Sequence, residues 1–396
     1  MIGLAPKQEG NRGFIRIANI IEDGRYGGPQ ARIVVVAEGL RSEGIETIII
    51  CPNKASLRFC TEALKRGVEI STIPMHRLSR NPFQIVKYFL SFPKEVFFIR
   101  KLLRKEHIDI VHCNSVRQFK GIVAGWLARR KIIWHLNDTW NPIIIKALFF
   151  LIAPLSNYFI VSGERVKKYY HLETFLKDKP LWVIRPPVDC EIFDPMTAIP
   201  TNRFSLYHGI KILSLGNINP IKGYEYFLEA IFYLNKLNEK ASYFIVGKKF
   251  SSQKNYVAKL NSIKENRKLH NFYFCDPSNR VQSILRETDI FVCSSLAESG
   301  PMSVWEAMAM EKAIVSTDVG DVRHFIKDGH NGFVVPVGDA RALAEKIGIL
   351  IKDPALCKRF GREARAVAIR ELDLKITVRK HVEVYHSCFK DDVKRY

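Results

Sequence analysis

Residues Ser294–Gly320 read SSLAESGPMSVWEAMAMEKAIVSTDVG. Two glutamates in this stretch, Glu298 and Glu306, stand eight positions apart with Gly300 and Pro301 between them. The apolar run Asp289–Cys293 comes just before and reads as a strand. Proline is at home in the first turn of a helix, where its missing N–H costs nothing. The spacing therefore predicts a helix from about Pro301 through Trp305 and Ala309. Glu298 then falls on the preceding loop, and Glu306 falls one to two turns inside the helix.

This arrangement suits one kind of ligand. A helix N-terminus offers unpaired N–H groups and partial positive charge, so it attracts phosphate. Carboxylates repel phosphate but grip hydroxyl pairs through charge-assisted hydrogen bonds. A molecule with an anionic middle and a diol at each end fits all three parts, and a nucleotide sugar is such a molecule. Taken alone, the glutamate pair would equally suit a surface helix with two solvated side chains. The rest of the chain decides between them.

A chain of 396 residues is long enough for two domains with separate cores. Its eight cysteines form no CxxC pair and no Cys/His cluster at zinc spacing, so they read as free thiols in a reducing compartment. No basic stretch followed by an apolar one opens the chain, so no signal peptide is expected. The uncharged run Ala147–Gly163 holds Pro154, Ser156 and Asn157 and is short for a bilayer span, so it reads as a core helix and a strand. The net charge is +21, and residues 1–187 carry +15 of it. That excess points to an anionic partner for the N-terminal half, such as a phospholipid surface or a phosphorylated acceptor. Nucleic acid is not expected, because no recognised binding module or basic-aromatic repeat is present.

Working outward, Phe14–Ile21 is a strand, Glu22–Pro29 a glycine loop, Gln30–Glu43 a helix, and Ile45–Cys51 a second strand. That order opens a doubly wound sheet. The loop is not GxGxxG, so the dinucleotide fingerprint is absent, although Gly27 and Gly28 let a ligand approach the backbone. Pro82–His107 is apolar and basic, and Pro93 is expected to split it into two helices. This region reads either as a helix covering the sheet or as one resting on anionic lipid. Ile108–Cys113 and Lys131–His135 end in polar residues at the strand termini where such sheets bind ligands, which makes His135 a candidate catalytic or acceptor-site residue. After the proline-rich segment near Ile184–Asp189 the pattern restarts at Lys211, giving two sheets of one type in tandem.

The chain resembles the retaining glycosyltransferases of the GT-B fold, family 4. Arg25–Arg32, RYGGPQAR, is similar to the family's glycine-glycine loop. Ile184–Asp189 with Phe193 resembles its interdomain segment, and Leu215–Gly223, LGNINPIKG, resembles its GRLxPxKG loop. Glu298–Glu306 resembles its E-x7-E motif, followed by Thr317–Gly320 and then Asp328–Val335, DGHNGFVV. Order and spacing match over nearly the whole chain. The resemblance implies an α/β fold of two Rossmann-like, doubly wound parallel-sheet domains facing a central cleft. Residues 1–187 would be an acceptor-binding domain, 188–207 a linker, 208–375 a nucleotide-sugar-binding domain, and 376–396 a helix packing back on the first domain.

It also implies roles. Lys222, Glu298 and His135 would be catalytic. Lys222 would neutralise the departing diphosphate, Glu298 would meet the hydroxyls of the transferred sugar, and His135 would stand near the reacting carbon. Glu306 would hold the ribose, and Asn217, Gly300, Pro301, Met302 and Ser303 would complete the donor site. Gly27 and Gly28 would shape the acceptor side. No metal and no cofactor is implied. The partners would be a nucleotide sugar (UDP- or GDP-linked) and a saccharide or lipid-linked acceptor of surface polysaccharide, lipopolysaccharide or glycolipid synthesis. The protein would be cytoplasmic, peripheral at the inner face of the membrane. Three positions depart from the family: Asn217 replaces the usual arginine, Asp276 a common glycine, and His324 a frequent glutamate. Lys248 or Lys249 is a candidate substitute for the missing arginine. The departure at Asn217 motivates an alternative, a non-catalytic subunit of the same fold. A two-carboxylate glycosidase would need both glutamates at the scissile bond, which the ribose role of Glu306 argues against.

Overall fold

In a computed structural model of the chain, the described residues are 14–78, 81–139, 141–207, 209–237 and 241–393. The opening residues on which the signal-peptide expectation rests, and position 208 where the second domain is expected to begin, lie outside them. Among the described residues, thirteen strands form two parallel sheets. The first comprises β1 (Ile15–Ile21), β2 (Ile45–Pro52), β3 (Glu69–Ile73), β4 (Ile110–Asn114), β5 (Lys131–Leu136), β6 (Tyr158–Val161) and β7 (Leu181–Val183). Their order is β3-β2-β1-β4-β5-β6-β7. The second comprises β8 (Ile210–Leu215), β9 (Ala241–Val246), β10 (Phe272–Cys275), β11 (Ile290–Cys293), β12 (Ala313–Thr317) and β13 (Phe333–Val335), in the order β10-β9-β8-β11-β12-β13.

Central strands such as β6 and β11 are apolar at every position because helices cover both faces. In both sheets the chain starts in the middle, moves to one edge, then returns and builds toward the other. The switch lies between β1 and β4 in the first sheet and between β8 and β11 in the second. Ligands bind outside the carboxyl ends of strands at such points. Both sheets direct these ends to one shared cleft.

Two local expectations change. The helix Pro82–Lys105 runs unbroken through Pro93. Pro93 lies on its exposed side, where the carbonyl it leaves unpaired can be hydrated, while Tyr88, Val96, Ile99 and Leu103 face the core. The helix of the glutamate motif covers Met302–Ala309, with Pro301 as its N-cap residue rather than its first helical one. The uncharged run after Ala147 resolves into the end of the helix Ile143–Ile152 and strand β6. None of the eight cysteines is in a disulfide.

The last helix, Leu374–Val393, returns to the first sheet. Val378, Val384, Tyr385 and Cys388 join a core cluster with Ile17, Leu40, Ile133 and Ile160. Gly39 permits the contact, since a Cβ there would lie 2.6 Å from Val378 Cγ2. The chain crosses between the sheets twice, and the two crossings pair. Val188 N–H donates to Leu372 O and Leu374 N–H donates to Val188 O, each at 2.9 Å.

Candidate active site

A cavity of about 460 Å³ occupies the cleft. Its second-sheet wall starts where β8 ends. Gly216 has φ +149, and a Cβ there would lie 2.8 Å from Lys222 Cε, so glycine leaves the space that the lysine fills. Gly223, at φ +58, brings the loop against the end of β11, where a Cβ would meet Ser294 O at 2.3 Å. Ser294 Oγ donates to Lys222 O at 2.9 Å, and Leu296 N–H donates to Ile221 O at 2.7 Å. These bonds fix the Lys222 backbone beside the Glu298 loop.

Lys222 Nζ lies 2.7 Å from Glu298 Oε1, which also accepts a hydrogen bond from Ser295 Oγ at 3.0 Å. Burial alone would lower the lysine's pKa, but Glu298, with Tyr224 and Cys293 adding to it, holds Lys222 above the ordinary lysine range. Glu306 is partly buried in the same cavity, and its carboxylate accepts no hydrogen bond from any described residue. Burial raises its pKa to about 7, with Lys222 pulling the other way. Its carboxylate therefore lacks a partner where the cavity is open. The N–H groups of Gly300, Met302 and Ser303, at the mouth of the Met302 helix, also make no bond to a described residue. Asn217 lines the cavity, and Asn219 presents a buried Oδ1 without a partner among the described residues.

The first-sheet wall comes within van der Waals distance. A Cβ on Gly28 would sit 3.4 Å from Met302 Sδ across the cleft, and one on Gly300 would sit 2.7 Å from Pro186 Cγ. Gly27 is the N-cap of the helix Gly28–Arg41. Ion pairs hold the two walls together: Arg185 Nε lies 2.9 Å from Asp321 Oδ2, and Arg165 Nη2 pairs with Asp318 Oδ1 while its Nη1 donates to Asp318 O at 2.9 Å.

His135 is placed differently from the expectation. It is 1% exposed and does not line the cavity. Arg32 stands between it and the cleft, with Nη1 3.2 Å from His135 Nε2. His135 Nδ1 meets His112 Nε2 at 3.1 Å, and His112 Nδ1 meets Tyr385 OH at 2.7 Å on the returning C-terminal helix. Burial holds both imidazoles well below the ordinary histidine range, so they are neutral. The physical reason for the displacement is that helix: it covers this end of the sheet and buries the tip of β5.

Arg32 itself was not singled out in the sequence. It lies four residues after Gly28 and so returns to the cleft face of the helix, a spacing that could have marked it. Its Nη1 donates to Asn137 Oδ1 at 2.9 Å and its Nη2 to Asn114 Oδ1 at 2.7 Å. Among the described residues it has no carboxylate partner. Burial lowers its pKa to about 10, so it remains a cation at neutral pH. Of the two lysines proposed for the missing arginine, Lys248 lines the cavity, whereas Lys249 Nζ lies over the Phe274 ring at 4.9 Å. Asp276 is exposed beside Pro277 and Ser278, which do line it, and His324 faces Glu371 at 3.9 Å.

Residues 205–367 match the family described as Glycosyl transferases group 1, and residues 26–192 match Glycosyltransferase Family 4. A relative from Campylobacter jejuni, N,N'-diacetylbacillosaminyl-diphospho-undecaprenol alpha-1,3-N-acetylgalactosaminyltransferase, is 21% identical over 377 residues, 90% of this chain and 95% of its own. EpsD of Bacillus subtilis is 35% identical over 124 residues, and that match spans 31% of this chain and about a third (32%) of EpsD. Among solved structures, a glycosyltransferase of Rickettsia africae superposes with a TM-score of 0.80 at 23% identity, covering 96% of this chain and 99% of that one. Anabaena HepE, solved with UDP, gives 0.78 at 17% identity, covering 94% and 100%. With both halves matched in order and the two facing sheets in place, the chain belongs to the family 4 glycosyltransferases of the GT-B fold.

Proposed function

We propose that this glycosyltransferase moves a hexose from a UDP- or GDP-sugar to a saccharide or lipid-linked acceptor, with retained anomeric configuration, in surface polysaccharide, lipopolysaccharide or glycolipid synthesis. One observation carries the reading. Lys222, Glu298, Glu306, Arg32 and the open N-terminus of the Met302 helix converge on a single cavity. Glu306 is assigned to the ribose diol and Glu298 to the hexose hydroxyls. The N–H groups of Gly300, Met302 and Ser303 meet the diphosphate or sugar, with Asn217 beside them.

Glycosyl transfer builds negative charge on the departing diphosphate while the sugar becomes oxocarbenium-like. The bond from the anomeric carbon to the phosphate oxygen breaks, and a bond to the acceptor oxygen forms. The acceptor's proton leaves with the phosphate. Fixed cations and a helix dipole stabilise the anion where it develops. Lys222 supplies one cation. Arg32, from the opposite wall, supplies a second where Asn217 has replaced the family arginine. His135 then acts by positioning Arg32, and Gly28 leaves room for the acceptor. In the absence of donor, Glu298 is the counter-ion of Lys222; a bound diphosphate takes over that role and frees Glu298 for the sugar. On this reading no metal is needed.

The relative from Campylobacter is named for a diphospho-undecaprenol substrate, and HepE was solved with UDP. Both fit the proposal. We also place the protein at the inner face of the cytoplasmic membrane. The helix Pro82–Lys105 exposes Phe83, Val86, Phe89, Leu90 and Phe97 among Lys87, Lys94 and Lys101, the pattern of a surface-lying helix on anionic lipid. No helix among the described residues is long and apolar enough to cross a membrane. A panel of UDP-, GDP- and ADP-sugars tests the central reading: one should raise the unfolding temperature and be consumed when lipid extract is added. A sugar nucleotide that binds but is never consumed would favour the non-catalytic subunit suggested by Asn217.

A further inference from the structure

The Glu22–Pro29 loop has two sides. One faces the cleft through Gly28 and Pro29. The other faces a second cavity of about 530 Å³, at the carboxyl ends of β1, β2 and β3. Its floor and rim come from Glu22, Asp23 and Arg25 after β1, Lys54 after β2, Arg77 after β3, and Lys87 on the helix Pro82–Lys105.

The charges there are unbalanced. Asp23 is shared by two guanidiniums, with Arg25 Nη2 at 2.6 Å and Arg77 Nη1 at 2.8 Å from its Oδ2. Lys54 and Lys87 have no carboxylate partner among the described residues. Glu22 is 7% exposed and accepts no hydrogen bond from a described residue. Burial raises its pKa to about 8, against the pull of Arg117, Lys120 and Arg77, so at neutral pH it is a hydrogen-bond donor rather than an anion. The cavity thus holds four cations against one carboxylate, with an unused O–H inside. Phosphate oxygens fit both features.

A second observation bears on the rest of the ligand. Gln84 and Lys87, which line the cavity, sit in the first turns of a helix whose outer side is apolar. Phe83 is 72% exposed, Val86 56% and Leu90 78%, and their spacing puts them along one face. An apolar chain leaving the cavity would run directly onto them.

We propose that this second cavity holds the phosphate or diphosphate of an acceptor whose apolar chain lies along Phe83, Val86 and Leu90, with the glycine loop separating it from the donor. This rests on the donor being bound in the first cavity. An acceptor anchored here presents its sugar or hydroxyl end across the loop toward Gly28, which lines the first cavity.

Calorimetry on the full chain tests it, with farnesyl diphosphate, inorganic pyrophosphate and farnesol as probes at fixed salt and saturating UDP. Farnesyl diphosphate should bind tightest, pyrophosphate more weakly, and farnesol not saturably. Lys54→Glu/Lys87→Glu alters two exposed lysines outside the donor cavity, so it should fold normally. It should weaken farnesyl diphosphate at least tenfold and leave UDP binding within twofold. Unchanged affinity in that variant would overturn the proposal, as would farnesol binding as tightly as farnesyl diphosphate. A separate UDP titration keeps the two readings apart. Loss of UDP binding in the unaltered protein sinks the donor site, whereas intact UDP binding without anion binding sinks only this one.

Discussion

Replacing Glu306 by glutamine should make the empty protein more stable and the donor complex weaker, and both effects should depend on pH. Burial without a hydrogen-bond donor moves this carboxyl from the ordinary 4.5 to about 7. Each tenfold in proton affinity corresponds to about 1.4 kcal/mol, so keeping Glu306 ionised in the folded protein costs up to about 3 kcal/mol. The sign follows from linkage: a carboxyl held higher in the folded state destabilises where it is ionised in both states, above pH 7. Below pH 4.5 it is protonated in both, and the cost vanishes. Thermal unfolding of Glu306→Gln and the unaltered protein should therefore nearly coincide at pH 4 and separate by pH 8, with the variant higher. Binding runs the other way. A charge-assisted hydrogen bond contributes about 1.5–3 kcal/mol, so at pH 8 the variant should bind UDP roughly 10- to 100-fold more weakly. A UDP analogue lacking both ribose hydroxyls should bind the two proteins alike. A stability difference that is flat with pH, or a variant less stable at pH 8, would refute the burial argument. Equal loss of affinity for the dideoxy analogue would refute the ribose assignment.

Other outcomes follow from the same geometry. Arg32→Ala should lower turnover about 100-fold, the scale for removing one donor to a developing anion. His135→Gln should lower it less and leave donor affinity unchanged, since it only positions the guanidinium; equal losses in both would return His135 to direct contact with substrate. Transfer should survive excess EDTA, and a loss restored by added divalent cation would overturn the metal-free mechanism. The protein should pellet with anionic vesicles at low salt, less so at high salt, and Phe83→Ser/Leu90→Ser should release it. Failure to pellet with any anionic vesicle would remove the membrane proposal.

What the sequence revealed divides along physical lines. The strands were legible because runs such as Ile45–Cys51 and Asp289–Cys293 are apolar throughout and bounded by turn residues, which is local information. The Glu298–Glu306 pair was legible because one glycine and one proline fix a loop-to-helix transition between them. Pro93 misled because its effect depends on which side of the helix meets water, and that is set by distant residues such as Lys120, which pairs with the buried Glu95 on the helix's inner side. His135 lies behind Arg32 rather than on the cavity wall because the end of a strand can face ligand or core, and it packs there beside a helix that starts more than 230 residues later. Arg32 was overlooked for the converse reason. Its partners Asn114 and Asn137 stand at the end of β4 and just past the end of β5, and nothing near Gly28 in the chain announces that a cation there will be buried without a carboxylate.

The most direct test of the cleft as a transfer site uses lysine 222. The unaltered protein and Lys222→Ala are compared in turnover of the donor found in the panel, with lipid extract as acceptor source and the product's anomeric proton coupling read by NMR. The account predicts a product with the donor's anomeric configuration, and a variant that folds, binds UDP more weakly and turns over at least 100-fold more slowly. Inverted product, or near-normal turnover without the Lys222 ammonium, would contradict it.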